Sequence, residues 1–261
     1  MTEWNAEHYS LQSGLQRLMA DEQLASLVLD GTERILDVGC GDGRVTAAIA
    51  ERVPQGSVLG VDQSHNMVAF ASNHFGRSDY PNLHFEVADA CSLPYQSEFD
   101  LVVSFNALHW VPEQELALRS VRAALKPGGR AALRFVPAGE RESIEAVIEK
   151  VRTSEQWQAY FRNFRTPFVH FTPESYEELA RANGLNVMSA EVSTAAWDFG
   201  SREAFAAYCQ TTLVSWTRCL PEQAKMMFIT EVLDRYRLVA ADSPEEANTF
   251  KFYQIAMTLT P

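Results

Sequence analysis

Apolar residues follow two rhythms in the first half of this chain, and the rhythms alternate. Residues 34–38 (RILDV) form a short apolar run, whereas residues 44–52 carry Val45, Ala48 and Ile49, continued by Val53, at the spacing of one helical face. The same reading gives strands at 57–62 (SVLGVD), 83–87 (LHFEV) and 99–104 (FDLVVS), and a helix at 66–75. A fifth strand falls within ALKPGGRAALRF, entered through Pro127, Gly128 and Gly129, residue types that suit a turn with positive φ. Strands alternating with helices predict a doubly wound α/β fold. Its sheet is mostly parallel, covered on both faces, and binds ligand at the carboxyl ends of the strands where their order reverses.

The second half departs from that alternation. Helical periodicity over 138–183 and 201–241, the latter carried by Phe205, Tyr208 and Cys209 and then by Ile229, Val232, Leu233 and Tyr236, separates two long runs at 185–199 and 250–260. These runs are expected to be an antiparallel closing pair of strands. The organisation expected is a helical cap segment at 1–30, a core at 31–136, a helical insertion at 137–184 and a core strand at 185–199. A helical lid at 200–247 and a closing strand at 248–261 complete it. Helices inserted at the ligand end of a sheet form lids that set specificity and exclude water.

The junction of first strand and first helix reads Asp37-Val38-Gly39-Cys40-Gly41-Asp42-Gly43. Such a turn brings bare N–H groups and a helix N-terminus to one point, where an electron-rich ligand group meets no Cβ atom. The dinucleotide frame G-x-G-x-x-G needs a glycine where this chain has Arg44, which disfavours a nicotinamide-dependent dehydrogenase. The frame that fits is G-x-G-x-G. Asp62, nineteen residues beyond Gly43, closes the second strand and can accept from both hydroxyls of a ribose. Asp89, followed by Ala90, lies just past the third strand, and Asn106 just past the fourth.

ILDVGCGDG matches all nine positions of the first motif of class I S-adenosylmethionine-dependent methyltransferases, hhDhGxGxG, and FDLV and LKPGG resemble later ones. Over most of its length the chain resembles the trans-aconitate methyltransferase-like family. The likeness lies in a W-x-x-x-x-Y opening at Trp4 and Tyr9, in LDVGCGDGRVT, VDQSHNMVAFA and NALHWVPE, and in FAAYCQTTLVSW of the lid. ALHWV is also similar to juvenile hormone acid and malonyl-carrier-protein methyltransferases. The likeness implies a seven-stranded Rossmann-like sheet and S-adenosylmethionine as cofactor. It implies Gly39, Cys40, Gly41 and Gly43 at the turn, Asp37 toward the methionine amino group, Asp62 on the ribose, and Asp89 with Ala90 on the adenine. Gln63, Met67 and Asn106 complete that site, and Trp4 and Tyr9 close over it.

All three families methylate carboxylates, so the implied acceptor is a small trans-aconitate-like acid. A carboxylic acid with a pKa of about 4 is already ionised at neutral pH, and methyl transfer to it needs orientation rather than a base. A phenol, amine or carbon nucleophile more often needs one, and the candidate is His109. His109 therefore has two readings: with Trp110 it lines the acceptor pocket and donates a hydrogen bond, or it is the base for a harder nucleophile. Cationic partners for an acid are Arg134, Arg141, Arg165 and His170. A carrier-bound malonyl group, or a protein that binds the cofactor without transfer, are the other readings.

Composition narrows the partners. The net charge of −12, from 22 basic and 34 acidic residues, repels phosphate backbones and argues against nucleic acid. No apolar run approaches the roughly 18 residues of a membrane span, and MTEWNAEHYS lacks the form of a signal peptide, so a cytoplasmic protein is expected. Cys40, Cys91, Cys209 and Cys219 are far apart and show no metal spacing, so no metal is expected.

Overall fold

The computed structural model describes residues 14–261. After helix α1 (Gly14–Ser26), the chain alternates through β1 (Arg34–Val38), α2 (Arg44–Arg52), β2 (Ser57–Asp62), α3 (His65–His74), β3 (Leu83–Val87) and β4 (Phe99–Phe105). It continues through α4 (Gln114–Ala124) into β5 (Leu125–Phe135). The seven strands lie in the order β3-β2-β1-β4-β5-β7-β6, with β6 (Asn186–Asp198) and β7 (Thr249–Thr260) closing the sheet. Every pairing is parallel except those of β7, which runs antiparallel to both β5 and β6. This is the seven-stranded, Rossmann-like sheet expected, and its order reverses beside β1.

Adjacent residues of the central strands serve opposite faces, as a period of two requires. Ile35, Leu101 and Val103 join one core with Ile49, Val58 and Phe85, whereas Leu36 and Val102 join the other with Leu118, Val121 and Leu133. Both faces of β1 and β4 are therefore dry, and the free ends of these strands are the only parts of them near a ligand. β5 opens at Leu125, opposite Phe99, and pairs again only from Arg130, so the Lys-Pro-Gly-Gly stretch is extruded from the ladder as the turn residues predict.

The helical insertions differ from a plain reading of their periodicity. Residues 138–183 hold α5 (Ile144–Arg152) and α6 (Pro173–Ala182), with a single 3-10 turn at Gln158–Phe161 between them. Aromatic packing explains the break: Trp157 and Phe161 close on Phe228, while Phe164 and Phe168 close on Trp216, directions that one straight helix cannot serve. Residues 201–241 form α7 (Arg202–Thr212), α8 (Val214–Thr217) and α9 (Glu222–Ala240), the last begun at Pro221, which suits a helix start. These elements share a third core with Phe250 and Phe252 of β7. Among the described residues no helix is long and apolar enough to cross a membrane.

Glu149 ties this lid together. It accepts from Trp216 Nε1 at 2.8 Å and Thr166 Oγ1 at 2.8 Å and pairs with Arg152. Burial alone would raise its pKa, but the Arg152 guanidinium, the indole and the hydroxyl hold it below the usual value. Tyr236 fastens the lid to the sheet: its hydroxyl donates to Lys251 O at 2.7 Å and accepts from Lys251 N at 3.0 Å, inside the core. Tyr236→Phe strands both backbone groups and is expected to cost about 1–3 kcal/mol in denaturant unfolding, whereas an unchanged midpoint would mean that the ladder re-pairs them.

Candidate functional site

The ends of β1, β2 and β4, the segment at 88–90, the strap at 165–167 and residues of α5, α7, α8 and β7 enclose a cavity of about 550 Å³. One end is built by the glycine turn. Gly39 N and Cys40 N both donate to Val61 O, at 2.8 and 3.0 Å, which folds the chain back over β2. A Cβ on Gly39 would stand 2.2 Å from Ala107 Cβ, and one on Gly43 2.6 Å from Ala71 Cβ. Gly43 thus takes the close helix-to-sheet packing that the dinucleotide frame assigns to the next residue. Gly41 is different: its φ is +54°, yet nothing lies within 4 Å of the direction a side chain would take, so bare backbone faces the cavity.

Two carboxylates brace that turn. Asp62 accepts from Gly41 N at 3.0 Å through one oxygen and from Ser64 N at 2.9 Å through the other, and it lines the cavity. Asp37, on β1, is 2% exposed, and Thr46 Oγ1 donates to its Oδ2 at 2.7 Å. Burial, opposed by that hydroxyl and reinforced by the charge of Asp62, pushes its pKa up to about 7. Asp89 caps the turn at Ala90–Ser92 by accepting from Cys91 N at 2.9 Å. Asn106 adopts φ 55°, a conformation asparagine tolerates, and accepts from Gln254 Nε2 at 2.9 Å. A cradle of bare backbone with acids on one side suits a ligand that carries positive charge and hydroxyl donors.

The other end starts from the turn after β4. Leu108–Trp110 form a 3-10 turn, fixed from beneath by Gln114, whose amide donates to Val111 O at 2.6 Å and whose Oε1 accepts from Tyr176 Oη at 2.8 Å. Val169 N donates to His109 O at 2.8 Å and so holds the strap against this turn. His109 is 5% exposed, and its Nδ1 has no partner among the described residues. Burial, with the neighbouring His170 adding to it, lowers its pKa to about 3, so the ring is neutral at ordinary pH. Trp110, Phe250, Phe252, Leu213 and Ile144 give this end apolar walls; Arg165, Arg218 and Glu145 give it charge.

Of the residues singled out from the sequence, the cavity brings together Asp37, Gly39, Cys40, Gly41, Asp62, Gln63, Met67, Asp89, Ala90, Asn106, His109, Trp110 and Arg165. Gly43 lies under the turn instead of in the cavity wall. Arg134 is not among the lining residues, because its guanidinium is drawn to Glu22 of α1 at 2.7 Å, and Arg141 is drawn to Asp242 at 3.8 Å. His170 stands behind His109, ring centroids 6.0 Å apart, with Ser143 Oγ 3.5 Å from its Nδ1. Trp4 and Tyr9 lie outside the described residues. Sequence reasoning passed over Gln23, Glu145 and Arg218, which all line the cavity, and over Gln114 beneath it. Glu145 left a signal: it is an acid beside Ile144, Val147, Ile148 and Val151 on the packed side of α5.

Residues 35–129 match the family model of the methyltransferase domain. Trans-aconitate 2-methyltransferase of Deinococcus radiodurans is 32% identical over 182 residues, covering 67% of this chain and 67% of its own. The 27-O-demethylrifamycin SV methyltransferase of Amycolatopsis mediterranei is 31% identical over 193 residues, 68% of each chain. Phosphoethanolamine N-methyltransferase 2 of Haemonchus contortus, solved with S-adenosyl-L-methionine, has a TM-score of 0.60 at 19% identity, over 95% of this chain and 53% of that one. The chain spans about three-fifths of the length of other trans-aconitate 2-methyltransferases that it matches. Sheet order, glycine turn and family match define a class I methyltransferase fold. The chain belongs to the S-adenosylmethionine-dependent methyltransferases of that class and is an enzyme of the small-molecule kind.

Asp37 makes the ligand-free protein pH-sensitive. Its folded pKa of about 7 lies above the ordinary value of 3.8, so the folded state holds a proton the unfolded state releases. Stability therefore falls as pH rises from about 4 to about 7, by at most about 1.4 kcal/mol per unit, and then levels. Asp37→Asn keeps the acceptor for Thr46 and removes the charge, so at pH 8 and without ligand it is expected to melt several degrees above the wild type. A lower melting temperature at that pH would contradict a buried, costly carboxylate.

Proposed function

We propose that the enzyme methylates the carboxylate oxygen of a small organic acid. The observation that carries this reading is His109: a histidine whose pKa lies near 3 is a poor general base at neutral pH, where a pKa close to the working pH is needed. An acceptor that arrives already ionised requires no base. A neutral imidazole still has one N–H to donate, and Gln23, 2% exposed with an unpartnered Nε2 among the described residues, offers a second neutral donor. Arg165, which has no ion pair among the described residues, and Arg218 supply positive charge at the same end.

S-adenosylmethionine, when bound, supplies a methyl group on a sulfonium whose leaving group departs neutral. The residues that would hold it are those the turn gathers. Asp62 takes the ribose hydroxyls, Asp89 and the Ala90 N–H take the adenine edge, and Asp37 takes the amino group of the methionine moiety. Gly41 lets the backbone come close. What remains for the chain is alignment and exclusion of water, together worth roughly 7–11 kcal/mol in well-oriented cases. The strap and the lid do this, and likeness to the trans-aconitate enzymes supports an acid as the acceptor, whereas likeness to the demethylrifamycin enzyme keeps hydroxyl acceptors as the second reading.

Product chemistry separates the two. With methyl-labelled cofactor and a panel of acids, phenols and amines, the label is expected to appear as a product that releases methanol in mild base, the mark of an ester. A base-stable product would overturn the reading. His109→Gln keeps an N–H donor and is expected to hold turnover within about tenfold, with no rate change attributable to residue 109 between pH 6 and 9. A loss of about 10²–10⁴ would make His109 the base.

A further inference from the structure

The acceptor end contains a charge that an acid substrate must answer. Glu145 stands in the first turn of α5, is 9% exposed and lines the cavity beside Ile144, yet it has no hydrogen-bond donor or ion-pair partner among the described residues. Its charge is felt by His170, the neighbour of His109, so it belongs to the acceptor end and not to the glycine turn. A carboxylate with no donor in the protein relies on whatever fills the cavity it lines, and it is satisfied most directly by the ligand once water is displaced. The same cavity already carries Asp37, Asp62 and Asp89 at its cofactor end.

A substrate with two or three carboxylates could place one on Arg165 and Arg218, but a further one would face Glu145 between apolar walls, where like charges repel strongly. A substrate with one carboxylate and a donor meets both signs. We propose that this enzyme selects a monocarboxylic acid with an apolar body and a second group that donates to Glu145, an ammonium before a hydroxyl, and that Glu145 rejects di- and tricarboxylates. The inference rests on the carboxylate reading above and narrows it, since it sets this chain apart from an enzyme for an acid with several carboxylates. Trp110 and Phe252 suit such a body, because aromatic faces accept both methylene groups and an ammonium.

A matched series tests it: hexanoate, its terminal hydroxy and amino derivatives, and adipate share one chain and differ only in the far group. The wild type is expected to rank amino over hydroxy over hexanoate, with adipate last, and kcat/KM for the amino acid is expected to exceed that for adipate by about tenfold to a hundredfold, the effect of one charge-assisted contact. Glu145→Gln should collapse that ratio toward one, and Glu145→Lys should invert it, while both still bind S-adenosylmethionine in calorimetry as evidence of folding. Direct calorimetric binding of the four acids to the cofactor-loaded protein gives the same ranking without turnover. Esters formed with equal efficiency from all four acids, or a ratio that Glu145→Gln leaves unchanged, would overturn the selectivity of Glu145 and leave carboxylate methylation standing. Base-stable products with the binding order intact would overturn carboxylate methylation and leave Glu145 as the donor-seeking group.

Discussion

A carboxylate that is 2% exposed and leans on one hydroxyl ionises only at a cost, and Asp37 is in that position because β1 runs through the middle of the sheet and stops beneath the glycine turn. The turn that follows is bare for two different reasons: a side chain at Gly39 would meet Ala107, whereas Gly41 opens onto free space. Asp62 holds the turn from the neighbouring strand, adding negative charge that raises the pKa of Asp37 further. Two neighbouring acids that line one cavity favour a cation in the ligand space beside them. In the proposed reading the positive charge of the cofactor offsets the burial of Asp37, so this residue contributes part of the affinity for a cationic ligand.

The two ends of the cavity are held by different means. Strand ends in a parallel sheet dry on both faces give the cofactor end its rigidity, since neither Leu36 nor Val102 can shift without opening a core. The acceptor end is held by polar ties within the lid: Glu149 joins α5 to the strap and α8, Gln114 steadies the turn that carries His109, and Val169 joins strap to turn. Glu145 and Arg218 line the cavity at this end.

Much of the core was legible because its signals are local. The apolar runs at 34–38, 57–62 and 83–87 coincide with β1, β2 and β3, and the glycine turn names its own geometry. The lid was legible only as helix-forming sequence. Its breaks at 153–172, at Leu213 and at Pro221 depend on which aromatic rings meet, and ring contacts such as Phe164 with Trp216 join residues far apart in the chain. Arg134 shows the same limit: its type suited an acid, but Glu22, more than a hundred positions away, pairs with it. Glu145 and Gln23 belong to no motif and become informative only once burial is known.

The most direct test counts protons. S-adenosylmethionine is titrated into the protein at pH 6 by calorimetry in buffers of different ionisation enthalpy. With a pKa of about 7 in the free protein, Asp37 is mostly protonated there, and binding a cationic ligand beside it should release about nine-tenths of a proton, none of it in Asp37→Asn. A binding heat independent of buffer in the wild type, or the same release from Asp37→Asn, would contradict the role given to this carboxylate.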